Sequence, residues 1–146
     1  MRVHIDQTHS SALARVRSTV PEDADRLLKS RVRIINVWRP IGNPVEHHPL
    51  AVADWRTVDP ENDLVPTRYI FPDREGIVFS LRHNLSHQWY HLRGQTPDEV
   101  TLIKCFDSDE SKARSTPHTA FLDPTSPKDA PDRHSIEVRC LIFDEE

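Results

Sequence analysis

The stretch VRIINVW, at residues 32–38, is compact and rich in β-branched side chains. Side chains of that kind pack well on a pleated surface, so the stretch predicts a strand in the core. Pro40 has no backbone N–H to donate to a neighbouring strand, and we expect it to end this one. Similar short strands are predicted on either side, from residues 2–6 at the start to SIEVRCLIF at residues 135–143.

Helical character is confined to one segment near the N-terminus. Residues 10–31 predict two helical pieces, the first capped by Ser10 or Ser11 and the second with Pro21 in its first turn. The remaining chain alternates short strands with long polar connections and shows no internal repeat. We therefore expect one domain over residues 1–146 that is mainly β, folded as an antiparallel sandwich or barrel.

Composition restricts the partners. Of 146 residues, 36% are hydrophobic and 29% charged, the net charge is −4, and both signs are interspersed without a basic stripe. Nucleic acid and membranes are therefore not expected partners, and the apolar runs are too short for a transmembrane helix. Cys105 and Cys140 sit in apolar stretches and are expected as buried free thiols, which suits the cytoplasm.

The first residues carry a candidate metal-binding pair. In RVHID, His4 and Asp6 lie two positions apart, so on a strand they project from one face, about 7 Å apart along the chain. Two histidines and one carboxylate on one face of an octahedral ion leave three positions open, as in non-heme Fe(II) oxygenases. On its own, His-x-Asp is equally the edge of an ordinary strand, so a third ligand is needed.

The chain has nine histidines, and the eight besides His4 are candidates for that third ligand. His118 lies in TPHTAFLDP, between two proline-bearing turns and before the last strand. His83, His87 and His91 are spaced by four and would share a face, either as metal ligands or as part of a half-exposed, aromatic-rich strand. The residues alone leave the choice open.

Arg139 lies inside the apolar strand at residues 135–143. Alternation places it on the face of Leu141 and Phe143, where an unpaired guanidinium would be costly. One explanation is a salt bridge to Glu137 on the same face. The other is a two-pronged contact with the carboxylate of a cosubstrate.

Five segments together resemble one known family. They are VHIDQT, RIINVWRPIGNPVEHHPLAVADWRTV, HQWYHLRGQTPDEVTLIKCFDS, TPHTAFLDP and SIEVRCLIF, in this order along nearly the whole chain. They resemble the AsaB-like hydroxylase/desaturase family, which includes gibberellin desaturase-like proteins and relatives of a cephamycin methoxylation protein. That family is related to the Fe(II)- and 2-oxoglutarate-dependent oxygenases.

The resemblance implies a double-stranded β-helix (jelly-roll) core. It also implies an oxidoreductase that uses Fe(II), with 2-oxoglutarate as cosubstrate, to hydroxylate or desaturate a small molecule of secondary metabolism. Carried over by position, the iron ligands would be His4, Asp6 and His118. Arg139 would hold the far carboxylate of 2-oxoglutarate, and Asn36, Trp38 and Arg39 would lie near the pocket.

The chain differs from this family in three features. Related oxygenases carry a hydroxyl residue two positions after the clamping arginine, where this chain has Leu141, and the interval from His118 to Arg139 is long. Family members also carry an N-terminal region before VHIDQT. We therefore expect residues 1–146 to be the C-terminal catalytic portion, with an incomplete jelly roll. A non-catalytic small-molecule-binding remnant and a metal-free cyclase-type member are the alternatives, and oligomeric state is open.

Overall fold

The computed structural model describes residues 2–73 and 75–144, and its strands form two antiparallel sheets. The six-stranded sheet has the order β4-β5-β1-β8-β3-β6, and the three-stranded sheet has the order β7-β2-β9. The strands are β1 (His4–Ile5), β2 (Val32–Pro40), β3 (Leu50–Ala53), β4 (Leu64–Ile70), β5 (Glu75–Leu81), β6 (Trp89–His91), β7 (Thr101–Asp107), β8 (His118–Ala120) and β9 (Ser135–Phe143). The prediction of a mainly β, antiparallel fold is confirmed.

The central strand of the smaller sheet is β2. Its buried and half-buried residues alternate along its length, and it pairs with β7 on one side and with β9 on the other. This alternation turns Ile34, Asn36 and Trp38 to one face, because neighbouring side chains of a strand point in opposite directions. The strand ends at Pro40, as predicted.

The helical segment contains α1 (His9–Thr19) and α2 (Ala24–Leu27). The predicted cap of α1 is wrong by two to three residues. Thr8 is the N-cap, its hydroxyl accepts from the backbone N–H of Ser11, and the Ser11 hydroxyl accepts from the backbone N–H of Thr8. This reciprocal pair satisfies two backbone donors that the start of a helix leaves open.

The start of α2 also differs from the prediction. Pro21 lies in the turn before α2, whose cap position is Asp23, and not in its first helical turn. The prediction relied on the preference of proline for first turns. In this chain Pro21 belongs to the turn that connects the two helices.

Two apolar clusters form the core. The larger one joins α1 to the inner face of the three-stranded sheet, and its buried members are Ala12, Val16, Ala24, Val32, Ile34, Trp38, Val45, Ile103, Cys105 and Phe106. The smaller one contains Ile5, Ala53, Val58 and Leu64. It lies on the face of the six-stranded sheet opposite to the face that carries His4, because Ile5 and His4 are neighbours on β1. Consequently the inner face of β1, which carries His4, is turned toward the three-stranded sheet.

Both cysteines are free thiols, as predicted; Cys105 is buried as expected, whereas Cys140 is only half-buried. None of the helices in the described part of the chain combines the length and the apolar character needed to span a bilayer.

Candidate metal centre

Two neighbouring strands bring His4 and His118 together. His4 on β1 lies directly opposite His118 on β8, and directly opposite residues project from the same face of a sheet. The two imidazole rings are 4.6 Å apart between centroids. Asp6 follows immediately after β1, at the point where the chain leaves the sheet.

The three side chains converge on one point. The Oδ1 atom of Asp6 lies 3.2 Å from Nε2 of His4 and 3.9 Å from Nε2 of His118. The three ligand atoms all lie within 4.8 Å of one another. Neighbouring ligand atoms on an octahedral ion with bonds of about 2 Å are roughly 3 Å apart, so this donor set fits a divalent iron ion. The sequence-predicted triad is brought together, and its metal role remains a prediction.

Both imidazoles are oriented by a hydrogen bond from Nδ1 to the backbone carbonyl two residues earlier in the chain. Nδ1 of His4 contacts the carbonyl oxygen of Arg2 at 3.0 Å, and Nδ1 of His118 contacts that of Thr116 at 3.0 Å. Because a carbonyl only accepts, each Nδ1 carries a proton, and Nε2 is the nitrogen of each ring that can give its lone pair to a metal. In His4 this requires loss of the proton that Nε2 shares with Asp6. The backbone contacts at Nδ1 thus turn Nε2 of both histidines toward the candidate metal position.

The charges around Asp6 keep it ionised. Burial alone would raise the pKa of the Asp6 carboxyl, but the hydrogen bond with His4 and the charges of His118 and Arg139 outweigh it and hold that pKa well below its usual range. The hydrogen bond with Asp6 raises the pKa of His4, whereas burial lowers the pKa of His118. The site therefore contains an ionised carboxylate beside two imidazoles, of which His4 has a raised pKa and His118 a lowered pKa.

Asn36 links this cluster to the three-stranded sheet. Its side chain is fully buried, and its amide nitrogen donates to Oδ2 of Asp6 at 2.6 Å and to Oε1 of Glu137 at 2.8 Å. The sequence resemblance implied a position near the pocket, and the structure places Asn36 there. It contacts Asp6 itself, a link that strand periodicity alone does not reveal.

Arg139 faces inward, as alternation predicts, but its partner is not the one considered from sequence. Its Nη2 donates to Oδ2 of Asp6 at 2.8 Å, and its Nε donates to Oδ1 of Asn36 at 3.0 Å. Glu137 receives the Asn36 amide instead of pairing with Arg139. The proposed salt bridge to Glu137 is therefore replaced by one to Asp6, and the cosubstrate role of Arg139 remains a prediction.

The structure does not bring Arg39 to the site. Arg39 is exposed, and its Nε contacts the carbonyl oxygen of Pro40. Because β2 turns Asn36 and Trp38 inward, the odd-numbered Arg39 must face outward. Arg39 therefore does not line the cavity beside the cluster, whereas Trp38 does, and a cofactor-binding role for Arg39 remains a prediction.

A cavity of about 310 Å³ opens beside the cluster. Its wall includes His4, Asp6, His118, Trp38, Leu50, Arg2, Arg133 and Glu137. The Arg133 guanidinium lies over the Trp38 ring, 5.5 Å from its centroid, and donates to the carbonyl oxygen of His48. Burial lowers the pKa of Arg133. Within residues 2–73 and 75–144 no carboxylate forms an ion pair with it, so its charge is available to a ligand.

Sequence reasoning missed Arg133, although a signal was present. Ser135 stands two positions after Arg133, which is the hydroxyl spacing that related oxygenases show after the clamping arginine. Arg139, with Leu141 at that place, lacks it. The stretch before Arg133 is proline-rich and irregular, so no periodicity indicated that this arginine turns toward a cavity.

The other histidine group has a different environment. His83, His87 and His91 line a separate cavity of about 650 Å³. His87 is hydrogen-bonded to Asp63 at 2.8 Å, and His91 packs edge-on against Phe121. Among the residues that the structure describes, the His4, Asp6 and His118 group is the one set of three or more ligand side chains close enough to hold an ion.

Comparison with known proteins agrees with this architecture. Residues 1–143 match the model of a family described as an oxidoreductase/YMDC permease-like domain. The chain is 46% identical to aspirochlorine biosynthesis protein N of Aspergillus oryzae, over 94% of this chain and 58% of the relative. It is 42% identical to the Fe(II)/2-oxoglutarate-dependent dioxygenase nvfI of Aspergillus novofumigatus, over 97% of this chain and 51% of the relative.

A third relative and a solved structure extend the likeness. The hydroxylase/desaturase asaB of Aspergillus flavus is 39% identical, over 85% of this chain and 60% of the relative. The solved structure of the iron and alpha-ketoglutarate-dependent endoperoxidase NvfI superimposes with a TM-score of 0.93 at 41% identity, over 99% of this chain and 54% of that one. The two sheets are therefore the jelly-roll sheets of such oxygenases.

The chain spans about half the length of the curated relatives that it matches. The superposition on NvfI covers 99% of this chain and therefore extends over the part of the fold that holds His4, Asp6 and His118. The chain thus belongs to the AsaB-like hydroxylase/desaturase family, whose relatives include Fe(II)/2-oxoglutarate-dependent oxygenases.

Proposed function

We propose that this chain carries the iron-binding catalytic portion of a 2-oxoglutarate-dependent oxidoreductase that hydroxylates or desaturates a small molecule. The observation that carries the proposal is the convergence of His4, Asp6 and His118 at the wall of a cavity. Two imidazoles and one carboxylate are the protein ligands of the facial Fe(II) site. When bound there with 2-oxoglutarate, Fe(II) would activate dioxygen, the oxidant, for attack on a C–H bond.

The protein's own contribution is to hold the ligands and to restrict water. Backbone carbonyls fix the imidazoles of His4 and His118, and the buried amide of Asn36 fixes Asp6. The cavity wall also includes the apolar side chains of Trp38 and Leu50, which offer no hydrogen-bonding carboxylate or hydroxyl to water. These side chains orient a substrate and leave the metal to supply the chemistry.

A carboxylate-binding group is also required for 2-oxoglutarate. Arg133 fits this role because it lines the cavity and is half-buried, and no carboxylate of the described residues forms an ion pair with it. Arg139, the residue implied by resemblance, is already bonded to Asp6 and Asn36. We therefore place the far carboxylate of 2-oxoglutarate at Arg133 and keep Arg139 as the alternative.

We infer that residues 1–146 form one domain that acts in the cytoplasm on a small molecule, without nucleic acid or a membrane as partner. The free thiols Cys105 and Cys140 support a reducing compartment. The net charge of −4 and the interspersed signs support the absence of a nucleic-acid surface.

The test is anaerobic titration of the purified chain with Fe(II) and 2-oxoglutarate. We expect a visible charge-transfer band that requires both additives and disappears in Asp6→Ala. His83→Ala, which removes an exposed histidine outside the site cavity, serves as the control and should keep the band. A folded wild-type chain without any band would contradict the proposal and support the non-catalytic alternative.

Turnover distinguishes the metal-free alternative. For the proposed oxidoreductase, loss of the band in Asp6→Ala should be accompanied by loss of substrate-stimulated 2-oxoglutarate consumption. Undiminished turnover in that variant would instead support a metal-free reaction on the same fold.

A further inference from the structure

The two oxygens of Asp6 have different surroundings. Oδ1 faces the Nε2 atoms of His4 and His118. Oδ2 faces the three-stranded sheet and accepts one hydrogen bond from Asn36 at 2.6 Å and one from Arg139 at 2.8 Å. One oxygen is thus directed to the candidate metal position, while the other is engaged by two N–H donors.

The orientation of the Asn36 amide follows from its neighbours. Arg139 only donates hydrogen bonds, so the amide oxygen of Asn36 must face the Arg139 guanidinium. The carboxylates of Asp6 and Glu137 accept, so the amide nitrogen must face them. If the amide were turned around, its NH2 group would face the N–H donor of Arg139, and its oxygen would face the carboxylates of Asp6 and Glu137, so none of the three hydrogen bonds could form.

The backbone holds this arrangement in place. Asn36 lies in the central strand β2, directly opposite Arg139 on β9, and its side chain has no exposed surface. The Asp6 contact crosses from this sheet to the six-stranded one. The donors to Oδ2 are therefore supplied by a different sheet from the one that carries the histidines.

We propose that Asn36 and Arg139 are positioning residues that restrict Asp6 to ligation through Oδ1 alone. This inference rests on the proposed metal site and deepens it. Ligation through both oxygens would require Oδ2 to leave a charged donor and a buried amide. A carboxylate that gives one oxygen keeps three positions of an octahedral ion open for cosubstrate and dioxygen. By holding Oδ2, Asn36 and Arg139 would keep Asp6 from occupying one of these three positions.

A purely structural ion pair between the sheets would use the same contacts, so the experiment must examine the metal itself. Co(II) is a suitable probe because its visible absorption depends on coordination number and needs no turnover. Binding to the wild-type chain, Asn36→Leu and Arg139→Met is measured by calorimetry, and the spectrum of each Co(II)-loaded protein is recorded. Asn84→Leu is the matched control, since Asn84 also donates its amide to a buried carboxylate, that of Asp63.

We expect Asn36→Leu and Arg139→Met to bind Co(II) about 10- to 100-fold more weakly, as is typical when a partner of a metal ligand is lost. Their Co(II) spectra should also differ from the wild-type spectrum, because Asp6 gains freedom to give both oxygens. Asn84→Leu should change neither property. A structural role alone would lower thermal stability but leave the spectrum unchanged.

The outcomes separate this inference from the proposed function. Wild-type protein that binds no Co(II) would overturn both. Folded variants that bind Co(II) with wild-type affinity and spectrum would overturn the positioning role alone. If Asn36→Leu does not fold, Arg139→Met decides the matter, because the Arg139 side chain is 31% exposed and its loss leaves a smaller gap.

Discussion

At the scale of single residues, the site depends on hydrogen bonds that assign one task to each atom. Nδ1 of each histidine is engaged by the backbone, and Oδ2 of Asp6 is engaged by Asn36 and Arg139. The atoms left for a metal are Nε2 of His4, Nε2 of His118 and Oδ1 of Asp6, which lie within 4.8 Å of one another. Such preorganisation removes much of the cost of arranging ligands when a cation binds.

The role of Arg133 is testable by its removal. Arg133→Met should raise the Kd for 2-oxoglutarate about 10- to 100-fold, since a charge-assisted hydrogen bond of about 1.5–3 kcal/mol is lost. Titration of the Fe(II)-loaded chain, with the visible band as readout, gives this constant. Arg39→Met is the control, because Arg39 lies on the outer face of β2.

The same titration compares the two arginine assignments. If Arg139→Met weakened 2-oxoglutarate binding while Fe(II) affinity stayed at its wild-type value, the resemblance-based assignment would be upheld and Arg133 would lose its role.

At the scale of secondary-structure elements, α1 begins at His9, three residues after the candidate ligand Asp6, so its start restricts the backbone of the site. The reciprocal hydrogen bonds of Thr8 and Ser11 define that start, and the Ser11 hydroxyl also donates to the carbonyl oxygen of Ile77 on β5. The helix cap is thereby attached to the six-stranded sheet. A weakened cap should loosen the chain directly behind Asp6.

Thr8→Ala should lower the free energy of unfolding by about 1 kcal/mol, the usual cost of losing an N-cap side chain. Chemical denaturation measures the change. Ser18→Ala removes an exposed hydroxyl of the same helix, bonded to the carbonyl of Arg15, and should alter stability by less than about 0.5 kcal/mol. Equal stability of Thr8→Ala and the wild type would show that the cap does not stabilise α1.

A second element-scale feature is the carboxylate at the end of β7. Asp107 is fully buried and accepts from Arg31, which precedes β2, and from Lys104. Burial alone would raise the pKa of Asp107, but these two cations outweigh it and hold that pKa well below its ordinary value of 3.8. Its contribution to stability is complete above 3.8 and is lost as pH falls toward the folded-state pKa.

We therefore expect acid to destabilise the wild-type chain more than Asp107→Asn. The difference in free energy of unfolding between the two proteins should shrink as pH falls from about 5 to about 2, because only the wild type has this proton to gain. Denaturant titrations at several pH values measure it. A difference that stays constant over this range would contradict the lowered pKa.

At the scale of the whole molecule, the site lies between two sheets. His4 and His118 belong to the six-stranded sheet, whereas Asn36 and Arg139 belong to the three-stranded one. A cation at the site would thus strengthen the contact between the sheets. Any ligand that binds only the folded state also raises its stability by mass action.

Fe(II) or Co(II) at a hundredfold excess over its Kd should raise the free energy of unfolding by about 2.7 kcal/mol. For a chain of this size that is a rise in Tm of roughly 5–10 °C. Thermal denaturation with and without the metal, followed by circular dichroism, measures the shift. Asp6→Ala should show none; an equal shift in that variant would mean that the metal binds elsewhere.

Sequence reasoning recovered local features better than long-range ones. Strand alternation correctly separated His4 from Ile5 and placed Arg139 on the face of Leu141 and Phe143, because a period of two depends on neighbouring residues alone. It could not identify Asp6 as the partner of Arg139, since these residues lie 133 positions apart. His118 was selected through resemblance rather than periodicity, and Arg133 was missed because its surroundings have no regular structure.

The pairing of β1 with β8 has a consequence for folding. His4 and His118 come from opposite ends of the chain, so their meeting closes a loop that includes most of the molecule. Contacts of such high sequence separation form only after the entropy of closing that loop has been overcome, and they slow folding. We therefore expect the site to be among the last parts of the fold to assemble, so that the appearance of metal binding during refolding reports the completed sheet.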